Sequence, residues 1–143
     1  MSDEMKNEKL KVIYVEPGKR ASVIEIDDDL KAMQNLVGGM IEEYMPFEDD
    51  VAIICNDEGK MIGLPLNRGI RTEDGRLQDI IAGDFFLCYA PVESEKFLSM
   101  PKDLEEKYRE KFDYPEHFFR TEEGIRSMKF DPGHGSRDQE IAR

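Results

Sequence analysis

The chain has 143 residues, 39% of them hydrophobic and 36% charged, with a formal net charge of −12 and a pI near 4.6. That length suits one domain with a short appendage, and the composition fits a compact core of about 90 residues with polar extensions. The negative sign opposes nonspecific contact with nucleic acid, whose phosphates need Lys and Arg, and attraction to an anionic membrane surface. Solubility is its ordinary meaning; the sharper alternative is a folded acidic face that occupies a groove built for DNA.

The polar residues 1–9 read as a loose tail without a signal-peptide core. No apolar run approaches the ~18 residues that span a bilayer, so the expected compartment is the cytoplasm. Leu10 to Val15 reads as a strand and Ala21 to Ile26 as a second. Between them Pro17 presets φ and Gly18 permits a positive φ, which predicts a hairpin. Asp27, Asp28 and Asp29 then supply a cap and favourable charge for a helix start. Leu30, Met33, Val37, Met40, Ile41 and Tyr44 follow at helical spacing and predict an amphipathic helix packed on a sheet. Gly38 and Gly39 interrupt it, each at a cost of about 1 kcal/mol relative to Ala. The pair signals close packing, a break in the helix, or a ligand or partner backbone lying over it. Pro46 ends the region.

Val51 to Cys55 is nearly continuous apolar sequence and predicts a central strand. Asn56 to Lys60 reads as a turn, Met61 to Leu64 as a returning strand, and Pro65 as the end of that pairing. Asp74-Gly75 is a further turn signal. Gly83 marks a bulge or close backbone approach before the last apolar strand, Asp84 to Ala90. Cys55 and Cys88, the only cysteines, sit in strand-like runs and read as reduced core thiols, with a disulfide open to them if the strands are adjacent. After Pro91, Ser99 to Asp103 resembles a helix start. Leu104, Tyr108 and Phe112 repeat at fourfold spacing and can pack on this chain's own sheet or on a partner. Tyr114-Pro115 stops that helix, and Phe118, Phe119, Ile125, Met128 and Phe130 form a weaker apolar set. The expected organisation is a tail at 1–9, an α+β core at 10–91, a C-terminal helical extension at 92–130 and a disordered tail at 131–143. The expected core is a small antiparallel-rich sheet of hairpins with one helix packed on it.

The familiar catalytic templates are absent, including the Gly-rich phosphate loop and the Gly-x-Ser-x-Gly elbow. Of the two histidines, His117 is expected on the surface and His134 in the tail. No catalytic set, metal set or cofactor is expected. The candidate ligand- or partner-binding residues are Asn56, Lys60, Asn67, Arg68, Gly38 and Gly39. Asn67 and Arg68 are the better pair, because arginine offers a planar fork of donors to carboxylate or phosphate. The plainer reading is that Asn67 satisfies loop backbone and Arg68 pairs with one of many acids.

One ordered set of short motifs runs through the chain: Val15-Glu16-Pro17-Gly18, Val37-Gly38-Gly39, Cys55-Asn56 with Glu58-Gly59-Lys60, Gly63-Leu64-Pro65-Leu66-Asn67-Arg68, and Asp79-Ile80-Ile81-Ala82-Gly83. In this set, over roughly residues 10–120, the chain resembles an uncharacterised family of small domains found in phages and mobile elements of Firmicutes and other gut bacteria. Asp84 stands where that pattern leads to a Thr. The resemblance implies a mobile-element origin and a small mixed α/β domain, and it offers no catalytic residues. The expected function is a non-catalytic protein-binding module acting on a host or element-encoded protein. The alternatives are a binder of a small anionic ligand such as a nucleotide signal, and an acidic DNA mimic that antagonises a host nuclease. Neither direct nucleic-acid binding nor membrane association is expected.

Overall fold

A computed structural model describes residues 8–133; the expected tails lie mostly outside them, as does His134. Among the described residues the fold is α+β, mostly antiparallel sheet with two helices of eight or more residues. Strands β1 (Lys9–Val15), β2 (Ser22–Asp27), β3 (Ile41–Tyr44), β4 (Val51–Asn56) and β7 (Phe85–Tyr89) form one five-stranded sheet in the order β2-β1-β7-β4-β3. Strands β5 (Leu66–Arg71) and β6 (Leu77–Ala82) form a separate hairpin, and β8 (Glu116–Thr121) and β9 (Gly124–Lys129) form another. The helices are α1 (Leu30–Val37) and α2 (Lys102–Lys111).

Side-chain alternation sorts the large sheet into two faces. One face sets Val12, Ala52, Ile54, Phe86 and Cys88 against Met33 and Val37 of α1. The other sets Ile13, Ile53, Phe85 and Leu87 against Ile70 and Ile81 of the β5–β6 hairpin and Tyr108 and Phe112 of α2. β4 is buried throughout because both faces are covered, which explains its unbroken apolar sequence. Cys55 and Cys88 are free thiols assigned to opposite faces. Leu104, Tyr108 and Phe112 thus pack on the chain's own sheet.

The structure departs from the expected elements in four places. Lys9 belongs to β1, where its ammonium pairs with Asp27 at 2.6 Å. The first helix ends at Val37, not Tyr44. Asp29 caps its start by accepting from Ala32 N at 2.7 Å, and at its end Gly38 takes φ +82°. There Gly38 N and Gly39 N both donate to Gln34 O, a glycine cap that stops the helix and releases Ile41–Tyr44 as an edge strand. Met61 to Leu64 does not return beside β4, whose neighbours are β3 and β7; the second strand of that region is β5, beyond Pro65. Finally, within the expected extension at 92–130 the chain is helical only over Lys102–Lys111. Glu116–Lys129 is a hairpin closed at Thr121–Gly124, where Thr121 Oγ1 donates to Gly124 O and accepts from Glu123 N. Among the described residues no helix is long and apolar enough to cross a membrane.

Candidate functional site

Asn67 sits at a register shift between β5 and β6, where an unpaired residue can turn its side chain out of the ladder. Its amide donates to Val15 O at 3.0 Å and Gly83 O at 2.8 Å. Arg68 beside it is 0% exposed. Its guanidinium donates to Lys19 O at 2.6 Å, Phe112 O at 3.0 Å, Asp113 O at 3.2 Å and Glu16 O at 3.4 Å, and to Asn67 Oδ1 at 2.9 Å. These two side chains therefore tie β5 to the end of β1, the β1–β2 turn, the β6–β7 turn and the end of α2. Burial pushes Arg68 down to about 10 against the pull of Glu116 and Asp113, so it stays charged at neutral pH. Of the two sequence readings of this pair, the plainer one describes Asn67, which satisfies backbone, while the donors of Arg68 go to the chain's own carbonyls rather than to a carboxylate, with no exposed surface left to offer. Arg20 completes the clamp from outside through a bidentate pair with Asp113 at 3.0 and 2.7 Å.

Asn56, Gly38 and Gly39 meet at the same end of the sheet, where β4 runs out beside the start of β7. Asn56 Nδ2 donates to Val37 O at 3.2 Å, and its Oδ1 accepts from Glu58 N at 2.8 Å. A Cβ on Gly39 would lie 2.9 Å from Asn56 Nδ2, so the second glycine exists to admit this amide. The pair of glycines is thus a helix cap and a close approach of a buried side chain, with no ligand needed to account for either.

Lys60 stands apart from that hub and donates to Asp79 Oδ1 at 2.7 Å across to β6. It shares with Asn56 a cleft of about 220 Å³ whose walls include Glu42, Tyr44, Cys55 and Asp79. Asp57 and Glu58 also border it, so carboxylates outnumber the single ammonium and the cleft favours a cation. Burial, then Glu42, Asp79 and Asp57, pushes the Cys55 thiol up to about 12, which removes it as a nucleophile at neutral pH. Burial followed by Asp79 also raises Tyr44. Sequence reasoning placed Asn56 and Lys60 here but missed Glu42, Tyr44 and Asp79, which join only through strand pairing across long separations.

The loop between β4 and β5 borders the same cleft through Met61. It is a tight coil: Ile62 N donates to Glu58 O at 3.0 Å and Leu64 N to Gly59 O at 2.9 Å. Gly59 is pressed against β6, where a Cβ would meet Ala82 O at 2.7 Å. This pinned backbone holds Met61 and Ile62 outward at 86% and 57% exposure.

Among the described residues no group of His, Cys, Asp and Glu side chains is arranged to hold a metal ion. His117 is exposed and stacks on Phe130 at 4.1 Å. Comparison with curated proteins and with solved structures found no match. The family model described as a domain of unknown function, DUF3846, matches residues 10–113, from β1 through the end of α2 to Asp113 of the arginine clamp, and the chain belongs to that family.

Proposed function

We propose that this domain is a non-catalytic protein-binding module that serves a phage or other mobile element in the cytoplasm, where it docks a host or element-encoded protein on the Met61–Ile62 loop. The observation that carries this reading is the outward pair of large apolar side chains on a backbone fixed by its own hydrogen bonds. An apolar pair held in place loses little conformational freedom on binding, and methionine adapts to irregular partner surfaces. The acidic cleft alongside adds specificity for a partner that brings a basic side chain next to its apolar contact. The mobile-element setting comes from the resemblance of the motifs.

A photo-cross-linking side chain at position 61, introduced in the producing cell, tests the reading. A discrete adduct of protein mass is expected, and Ile62→Asp should abolish it. Position 92 is the control, because Val92 is equally apolar and 90% exposed but follows β7 at the opposite end of the sheet. An adduct that forms equally from position 92, or that survives Ile62→Asp, removes the loop from the proposal.

A further inference from the structure

A second charged cleft lies beyond the opposite end of β4. It has a volume of about 370 Å³ between the Pro46–Asp49 segment, the β5–β6 hairpin and the last turns of α2, and its walls include Phe47, Arg71, Lys107 and Lys111. Three cations stand in one cleft beside three carboxylates, Glu48, Asp49 and Glu73, a balance unlike the −12 average of the chain. Two of them are already compensated: Lys107 Nζ donates to Asp49 Oδ2 at 2.7 Å, and Arg71 pairs with Glu116 at 3.1 Å while also donating to Ser127. Lys111 differs. Among the described residues it has no carboxylate within ion-pair distance, and its ammonium lies 5.7 Å from the Phe47 ring. Desolvation first, and then repulsion from Lys129, Lys107 and Arg71, holds it below the usual lysine range. Glu48 and Glu73 also border the cleft, and neither lies within ion-pair distance of the Lys111 amine.

An ammonium left uncompensated among like charges is stabilised by any anion that joins it. We propose that this cleft binds a compact polyanion carrying phosphoryl groups, held by Lys111 with Arg71 and Lys107 beside it. Phosphoryl oxygens accept short, charge-assisted hydrogen bonds from both residue types, and Lys107 and Lys111 share one helix face at i, i+4. The site stands independently of the docking loop, which leaves β4 at its other end.

Calorimetric titration of the full chain with inorganic pyrophosphate at low salt tests the site, with a nucleoside diphosphate as second probe. Saturable binding is expected, and Lys111→Gln should weaken it about tenfold, the loss expected from one charge-assisted hydrogen bond. Lys102→Gln should leave it unchanged, since that lysine lies at the far end of α2 beside Glu106. The ammonium pKa of Lys111, followed by NMR, should rise on binding because the anion offsets the repulsion. A tighter nucleoside diphosphate would add a base or sugar contact to the site, and equal affinity would assign it to the phosphoryl groups alone. No saturable heat with either probe, or equal loss in Lys111→Gln and Lys102→Gln, overturns the proposal.

Discussion

Truncation of Arg68 to alanine removes the one side chain that joins the β1–β2 turn, β5 and the end of α2. Its guanidinium supplies hydrogen bonds to Lys19 O, Phe112 O, Asp113 O and Glu16 O, and to Asn67 Oδ1. A hydrogen bond from a charged donor contributes about 1.5–3 kcal/mol, but bonds that share one side chain do not add. The cost of burying the charge opposes them, as the lowered pKa of Arg68 records. Removal reverses that cost, but it leaves buried carbonyls without donors and a cavity where the largest fully buried side chain stood. Loss of one partner from a buried charged network costs about 3–5 kcal/mol, so Arg68→Ala should destabilise the domain by about 4 kcal/mol. In a heating experiment this corresponds to roughly 12 °C. Arg68→Lys keeps the charge but not the planar fork and should recover only a minor part of the loss. Urea unfolding followed by circular dichroism gives the midpoint and slope for each variant. A loss below about 1 kcal/mol with an unchanged slope would refute the reasoning, because the same carbonyls would then have to be satisfied without the arginine.

Two further outcomes follow from the same hydrogen-bond pattern. Gly39→Ala should cost about 1–2 kcal/mol by displacing the Asn56 amide from Val37 O. In a double-mutant cycle with Asn56→Ala the losses should fall short of additive, and additive losses would sever the proposed contact. Asp113 titrates below its reference of 3.8, first because Arg20 donates to it. A depressed acid stabilises the fold above its unfolded pKa and loses that contribution as pH falls through its folded value. Arg20→Gln should therefore lower the urea midpoint at about pH 7, and the gap from wild type should narrow by about pH 2.5. A gap of constant size over that range would show that the pair contributes through packing rather than charge.

What the sequence discloses is set by where each residue's partners lie. β1, β2, β4 and β7 are readable because alternation or continuous apolarity is a local signal of one or two buried faces. The face of α2 is readable for the same reason, since Leu104, Tyr108 and Phe112 need only a helix to align them. The end of α1 is harder, because Ile41 and Tyr44 continue the helical spacing beyond a cap that depends on the positive φ of Gly38. β5 is harder still. Leu-Asn-Arg-Gly-Ile-Arg carries too few apolar residues to read as a buried strand, and it is buried only because Asn67 and Arg68 find carbonyls on Val15, Lys19, Gly83 and Phe112. Every residue owns a carbonyl, so no residue type marks these acceptors in advance. The same blindness misdirects the site. An arginine whose acceptors are backbone atoms looks like a partner for a carboxylate or a ligand, while the apolar side chains of Met61 and Ile62 read as a returning strand. Asn56, Gly59 and the hydrogen bonds of the coil that follows turn the apolar pair outward. The exposed apolar pair is therefore built from residues whose chemistry alone would place them inside.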